Sequence, residues 1–178
     1  MNEVAVNLVV APTTRSLVWA FVFVVVLPVL TTWVAVFFAN RALTVTVTGA
    51  VTALSVVLFA AFAWFLLRNE IVLDTQSLTV RAAFYERSVS RDDIDWNESR
   101  FIDTAGDSKL RPRVRVNGIG LPGYRAGWFR LANGARAFVL QTQGPLAYLP
   151  VVGGEAFLLT VTRSSPLFDR IGPEGPES

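Results

Sequence analysis

Residues 117–127 read NGIGLPGYRAG, and the first glycines of this stretch are spaced G-x-G-x-x-G. Gly118, Gly120 and Gly123 give this spacing, which nucleotide-binding proteins use to bring backbone amides close to phosphates. A simpler interpretation is a sharply turned or bulged connection between two strands, where glycine supplies a positive φ angle or close backbone approach. The flanking sequence decides between the two interpretations.

The residues after these glycines do not fit a nucleotide site. A dinucleotide site needs a helix that begins at the glycines and an acidic residue about 20 positions further on. Pro122 and Gly127 interrupt any helix, and no Asp or Glu occurs between Asp107 and Glu155. A kinase glycine loop does lie between strands, but it also requires a catalytic-loop histidine and a lysine on a following strand. The chain has no histidine, and its single lysine, Lys109, precedes the glycines. No cofactor is therefore predicted.

The sequence on both sides of the glycines has the period-two alternation of strands. In RPRVRVNGI (111–119), arginines alternate with apolar residues, so we expect one basic face and one apolar face. The basic face comprises Arg111, Arg113 and Arg115, and the apolar face comprises Pro112, Val114 and Val116. YRAGWFRL (124–131) predicts the next strand. Gly118, Gly120, Gly123 and Gly127 are then turn glycines that bend the backbone between these two strands.

Further strands and turns extend this pattern in both directions. SLTVRAAF (77–84) alternates with period two, Asn133–Gly134 indicates a tight turn, and Gly153-Gly154 joins the last hairpin. In SSPLFDRI (164–171), a serine N-cap and Pro166 at the first helical position predict a short helix with one apolar face. About seven strands followed by one helix predict a small antiparallel barrel or sandwich.

Three segments together resemble a known family. EIVLDTQSLTVRAAFYERSVSRDDID (70–95), RVNGIGLPGYRAGWFRLANGARAFVLQT (115–142) and RSSPLFDRI (163–171) are similar to bacterial pleckstrin-homology-like (PH-like) domains. The similarity is greatest to the subgroup with a G-x-G-x-x-G-Y-x-x-G-x-F segment, and it covers residues 68–172. The resemblance implies two nearly orthogonal antiparallel sheets capped by a C-terminal helix. Such domains often follow two membrane spans.

The N-terminal third predicts a membrane hairpin. Apolar residues make up 52% of the chain and charged residues only 17%, with a mean hydropathy of +0.46. Residues 17–39 and 45–67 are free of charge, and a helix of 23 residues spans about 34 Å, enough to cross a hydrocarbon core of about 30 Å. We divide the chain into an N-terminal segment (1–15), a transmembrane hairpin (16–67), a PH-like domain (68–172) and a disordered tail (173–178).

The charges that flank the hairpin predict its orientation. Arg15 and Arg68 lie at the open end of the hairpin, and Arg41 stands alone at the tip beside Asn40. Positive-inside counting therefore puts both termini in the cytoplasm, which makes this a multi-pass protein of the plasma membrane.

Two polar clusters could carry chemistry. The first is acidic and consists of Asp92, Asp93, Asp95, Glu98, Asp103 and Asp107. It lacks the regular ligand spacing of a calcium loop, so a solvated loop is favoured over a metal site. Neither histidine nor cysteine is present to serve as base or nucleophile. Ser108 and Lys109 are adjacent, so on a strand they would point to opposite faces. No catalytic residue is predicted, and a cryptic enzyme stays a remote alternative.

The second cluster is basic and lies in a span without acids. It comprises Lys109, Arg111, Arg113, Arg115, Arg125, Arg130 and Arg136. Below a bilayer, Arg111, Arg113, Arg115, Arg125 and Arg130 could contact anionic lipid headgroups or a protein partner. A solvated face paired with the acidic cluster is an equally good interpretation. Nucleic acid is not expected, because no recognition helix or aromatic platform accompanies the arginines.

Taken together, the sequence predicts a membrane-anchored all-β (α+β) protein. We expect a non-enzymatic integral membrane protein whose cytoplasmic PH-like domain serves protein interaction or self-assembly. The alternative is a sensor of anionic headgroups that uses the arginine-rich strand face.

Overall fold

The computed structural model of the protein describes residues 6–9, 14–38, 44–103 and 107–172. Three sequence predictions lie outside these residues: the hairpin tip with Asn40 and Arg41, the tail over 173–178, and most of the N-terminal segment.

Two apolar helical segments form the N-terminal third. The first consists of α1 (Thr14–Phe21), a π-helical turn (Val22–Val26) and α2 (Leu27–Phe38), and the second is α3 (Thr44–Leu67). Their windows Val18–Ala35 and Thr46–Trp64 have mean hydropathies of 2.3 and 2.0, and only 11% and 6% of these windows is buried by protein. Both are long and apolar enough to cross a membrane, which confirms the predicted pair of apolar helices.

Pro28 accounts for the π-helical turn. A proline inside a helix has no N–H, and its ring clashes with the carbonyl four residues earlier, here that of Val24. The backbone responds one residue upstream, where Leu27 N donates to Val22 O in the i to i−5 pattern of a π-helix. Downstream, the hydroxyls of Thr31 and Thr32 donate to Pro28 O over 2.9 and 2.8 Å, so this carbonyl is well satisfied within the apolar segment.

The first sheet contains four antiparallel strands in the order β1-β2-β3-β4. They are β1 (Val6–Val9), β2 (Glu70–Leu73), β3 (Ser77–Ala82) and β4 (Tyr85–Ser90). The predicted alternation of β3 is confirmed, because Leu78, Val80 and Ala82 are buried. β1 was not predicted from the sequence. It precedes α1 and pairs with β2, which follows α3, in the register Val6 to Leu73 and Val9 to Glu70.

The second sheet contains six strands in the order β5-β9-β10-β8-β7-β6. They are β5 (Arg100–Ile102), β6 (Pro112–Leu121), β7 (Tyr124–Leu131), β8 (Arg136–Gln141), β9 (Leu146–Val151) and β10 (Glu155–Thr160). The expectation of a wholly antiparallel fold is wrong at one pair, since β8 and β10 run parallel. Both strands are buried at four or more consecutive positions, and such doubly covered strands favour the centre of a sheet. The β9–β10 hairpin places β10, its more deeply buried strand, inside the sheet.

Apolar side chains cover both faces of the second sheet. One face packs against the first sheet, and its buried residues include Tyr124, Phe138, Leu140, Phe157 and Leu159 with Ile71, Leu78 and Val80. The other face buries Phe129, Leu131, Val139 and Leu158 with Ile102 and Leu110. The segment around the 3-10 turn Ser108–Leu110 crosses this second face. It is held there by Ala132 N donating to Arg111 O and Asn133 N donating to Lys109 O.

The C-terminal helix α4 (Pro166–Ile171) has the predicted cap. Ser165 Oγ accepts from Phe168 N over 3.1 Å, with Pro166 at the first helical position. Leu167 is fully buried, and Phe168 and Ile171 pack against the core between the sheets. This confirms the apolar face predicted for the helix.

The strand count and the barrel differ from expectation. Residues 70–160 form nine strands in the described part of the chain instead of about seven. No ladder joins the two sheets among the described residues, so no barrel closure is seen there. The architecture is α+β, with two stacked sheets.

Candidate functional site

The outer edge of β6 is the most exposed part of the second sheet. β6 is an edge strand, and positions 113–117 are all exposed to solvent. Val114 and Val116 are 53% and 51% exposed, which is unusual for valines in a strand that neighbours a core. An edge of this kind offers unpaired backbone donors and acceptors to another chain.

Two bulges explain why the predicted apolar face of β6 is absent. The register against β7 shifts between Pro112 and Val114 and again between Arg115 and Asn117. Each shift inserts one extra residue and exchanges the two faces of the strand. Val114 consequently lies opposite the exposed Arg130, and the alternation of arginines with apolar residues does not separate a basic face from an apolar one.

Most of the arginines in β6 and beside it are exposed. Arg111, Arg113, Arg115 and Arg130 are exposed, whereas Arg125 is half-buried and donates to Gln141 Oε1 over 3.0 Å. Ion pairs within the described residues include those of Arg81 with Glu70 and Glu86, and of Arg87 with Glu155. Arg113, Arg115 and Arg130 take part in none of these pairs, so pairing with the acidic cluster is not seen for these three.

Asp95 is the member of the acidic cluster whose carboxylate stabilises a turn. Asp95 Oδ1 accepts from the backbone N–H groups of Asn97 and Glu98 over 3.0 and 3.2 Å. Asp92 N donates to Ser90 Oγ at the start of a 3-10 turn. Over the described ranges, no three acidic side chains converge on a point where a metal ion could be held.

Of the four glycines in NGIGLPGYRAG, only Gly123 occupies the turn. Gly123 has a φ of 79° and follows Pro122 in the two-residue connection between β6 and β7. A proline followed by a glycine with positive φ is the pattern of a type II turn. Gly118 and Gly127 face each other across the ladder, and Gly120 lies in β6.

The Gly118–Gly127 pair permits close approach between the sheets. A Cβ at Gly127 would lie 2.6 Å from Asn117 O and 3.1 Å from the ring of Tyr85, and the φ of Gly127 is 105°. Tyr85 belongs to β4 of the first sheet, and its hydroxyl donates to Asn117 Oδ1 over 3.0 Å. The glycines therefore form the site where the first sheet crosses the second.

A half-open cavity of about 230 Å³ lies beside the β6–β7 turn. Its lining consists of Leu121, Pro122, Gly123, Tyr124, Arg125, Gln141 and Thr142. The volume is below the ~300–1,000 Å³ of typical ligand sites, and Arg125 and Gln141 are hydrogen-bonded to each other. The cavity thus has neither the size nor the convergent polar groups of a nucleotide pocket.

A buried polar junction lies where α3 meets the sheets, and sequence reasoning missed it. Asn69 Oδ1 accepts from Tyr124 Oη over 2.7 Å and from Ala83 N over 3.1 Å, and Asn69 and Tyr124 are each 1% exposed. Burial raises the pKa of Tyr124 well above its ordinary value. The only signal in the sequence is an asparagine directly after the charge that ends an apolar segment.

The junction also connects the helices to the domain core. Ala20 of α1 is 1% exposed and belongs to the core between the sheets, with Phe59 and Phe62 of α3 packed against it. The domain and the inner ends of both apolar helices therefore share one core.

Comparison with family models, with curated proteins and with solved structures finds no match to this chain.

Proposed function

We propose that this protein is a non-enzymatic integral membrane protein that presents a PH-like domain to a protein partner. Two features support membrane anchoring: the two long apolar helices and their low burial by protein. The ladder between β1 and β2 supports a hairpin, because it brings together the chain before the first helix and the chain after the second. Both termini then lie on the same side.

The placement of arginines indicates that the side of the membrane with both termini is the cytoplasmic side. Arg15 and Arg68 flank the open end of the hairpin, and the domain adds further arginines. Under the positive-inside rule, this bias predicts a cytoplasmic domain at the plasma membrane.

The exposed β6 edge carries the proposal of protein binding. An extended partner segment can add a strand to such an edge through main-chain hydrogen bonds. Val114 and Val116 would give apolar contacts, and Arg113, Arg115 and Arg130 favour acidic side chains in the partner. Self-assembly through this edge is less favourable, since it would bring two copies of these arginines together.

The test is site-specific photo-crosslinking in native membranes. A benzoyl-phenylalanine replaces Val116, and the matched control carries it at Val152, a valine that is 74% exposed in the β9–β10 turn. We expect discrete protein adducts from position 116 and none from 152. The double substitution Arg113→Glu/Arg115→Glu should abolish the adducts, whereas Arg163→Glu should preserve them. An adduct of twice the chain mass would indicate self-assembly instead, and equal labelling at both positions would contradict the proposal.

The headgroup sensor is the second candidate, and it depends on how β6 lies. Leu121 ends β6 beside the turn to Tyr124, which is hydrogen-bonded to Asn69 just after the end of α3, so this end of β6 lies nearest the helices. Arg113 precedes Leu121 by eight residues, which is about 26 Å along an extended strand. Headgroup contact at Arg113 therefore requires β6 to lie along the membrane surface. Hydrogen exchange of the β6 amides in nanodiscs tests this candidate. Protection that requires anionic lipid and is lost in Arg113→Ala/Arg115→Ala would support the sensor. Equal exchange rates in anionic and zwitterionic nanodiscs would argue against it.

A further inference from the structure

We propose that the β3–β4 turn is seated in the bilayer interface, with Phe84 as its lipid contact. This inference rests on the proposed membrane insertion of the helices. The turn consists of Ala83 and Phe84 between β3 and β4, and Phe84 is 53% exposed. A phenylalanine is unusual at the tip of a tight turn, where Gly, Pro, Asn, Asp and Ser dominate.

The position of Phe84 along the membrane normal follows from a ring contact with α3. The ring centroids of Phe84 and Phe62 are 6.4 Å apart. Phe62 precedes Trp64, the last residue of the apolar window, by two positions, which corresponds to about 3 Å along a helix. The interfacial layer on each side of a bilayer is roughly 5–7 Å thick. Once α3 spans the bilayer, Phe84 is therefore held at the level of this layer.

The neighbouring residues have the character of an interfacial belt. Trp64 is 59% exposed, and the Arg68 guanidinium lies 5.1 Å from its ring centre. On α1, Trp19 is 40% exposed and stacks on Phe23 at 5.8 Å. Tryptophans at the membrane–water boundary and arginines that extend toward headgroups are typical of this layer. Phe84 continues the same belt from the domain side.

A hydrogen bond ties the turn to the residue that follows the apolar helix and Arg68. Ala83 has a φ of 53°, in the left-handed region that non-glycine residues rarely occupy. Its N–H donates to Asn69 Oδ1, and Asn69 comes directly after Arg68. The side chain that fixes the turn is thus attached to the end of the apolar helix, so the domain is oriented with Phe84 toward the bilayer.

Because the chain contains no cysteine, single-cysteine reporters test the inference directly. Phe84→Cys, Val152→Cys and Leu54→Cys are each labelled with an environment-sensitive fluorophore in the full-length protein, in phosphatidylcholine nanodiscs. Quenching is measured with iodide in the water and with lipids spin-labelled at shallow or deep acyl positions. Exposure alone predicts similar iodide access at Phe84 and Val152, which are 53% and 74% exposed.

The inference predicts three different results. The reporter at 54 should be quenched by deep spin labels. The reporter at 84 should be quenched by shallow spin labels and should lack the iodide quenching of the reporter at 152. The reporter at 152 should be quenched by iodide only. Iodide quenching at 84 equal to that at 152, with 54 still quenched by lipid, would overturn this inference alone. Iodide quenching at 54 would overturn membrane insertion and, with it, both proposals.

A second measurement keeps the aromatic ring. A 4-trifluoromethyl-phenylalanine in place of Phe84 reports its depth through fluorine relaxation. Stronger relaxation from shallow spin-labelled lipid than from an aqueous paramagnetic agent supports the interfacial seat, and the reverse order refutes it even if Phe84→Cys disturbs the fold.

Discussion

Tyr124→Phe tests the junction between α3 and the second sheet by removing a single oxygen atom. The Tyr124 hydroxyl donates to Asn69 Oδ1 over 2.7 Å at a position where both side chains are buried. Loss of the hydroxyl removes one of the two donors to Asn69 Oδ1, and Ala83 N remains as the other. The expected cost is that of one buried hydrogen bond, about 0.5–1.5 kcal/mol of unfolding free energy. The phenyl ring stays, so the packing of the core is preserved.

Tyr85→Phe is the matched control. Tyr85 also donates to an asparagine oxygen, Asn117 Oδ1, over 3.0 Å, but this bond is exposed to solvent. Water can replace the lost partner there, and the expected cost is below about 0.5 kcal/mol. The same chemical change is thus made once in a buried and once in an exposed hydrogen bond.

The assay is thermal unfolding of the full-length protein in nanodiscs, followed by tryptophan fluorescence. Replacing Trp19, Trp33 and Trp64 by phenylalanine leaves Trp96 and Trp128 as reporters in the domain. For a domain of this size, about 1 kcal/mol corresponds to roughly 4 °C in Tm. Tyr124→Phe should lower Tm by about 2–6 °C, and Tyr85→Phe by clearly less. Equal shifts for the two variants, or none for Tyr124→Phe, would refute the reasoning.

Four further predictions concern stability. Gly127→Ala should lower the free energy of unfolding in urea by about 1–3 kcal/mol, because the φ of Gly127 is 105° and an added Cβ would meet backbone atoms. Gly120→Ala should lower it by less, because the space around Gly120 is open. Leu158→Ala, at a fully buried position, should cost about 2–5 kcal/mol in the same assay. Ser165→Ala removes the cap of α4 and should lower Tm by an amount equivalent to about 1 kcal/mol. Burial raises the pKa of Tyr124 in the folded state, so the contribution of Tyr124 to the free energy of unfolding is complete below pH of about 10 and declines above it. In an alkaline titration followed by circular dichroism, Tyr124→Phe should therefore lose less folded structure than the unsubstituted protein. An equal loss in the two proteins would contradict this prediction.

Local signals in the sequence predicted local structure well. The serine cap and Pro166 define α4, and the turn at Asn133–Gly134 forms as expected, with Gly134 at a φ of 89°. These features depend on residues within one turn of each other, so their energetics can be read from a short stretch of sequence. The apolar helices follow equally from the length of their uncharged runs.

Relations between distant segments were not predictable in the same way. The alternation in RPRVRV indicates a strand, but its two bulges depend on how β6 aligns with β7, and this alignment exposes Val114 and Val116. The place of β10 between β9 and β8 is decided by burial on both faces, and this depends on the whole sheet. A run of apolar residues is compatible with more than one strand order.

Of the two candidate sites, the sequence indicated the arginines around β6 but not the buried junction at Asn69. The arginines around β6 stood out by their composition, and the structure adds that their strand is an open edge. Asn69 did not stand out at all. Its role requires Ala83 and Tyr124, which lie 14 and 55 residues away, to converge on one oxygen atom.

The ladder between β1 and β2 has a consequence for biosynthesis. Val9 and Glu70 are register partners, yet the entire hairpin is synthesised between them. β1 therefore leaves the ribosome first and has no partner until the second helix has been completed. If only one helix crosses the bilayer, the two strands end on opposite sides and the first sheet lacks its outer strand. Under the proposed membrane insertion, completion of this sheet thus depends on both helices crossing the bilayer, and a wrongly inserted chain would expose β2 as an unpaired edge that chaperones or proteases can recognise.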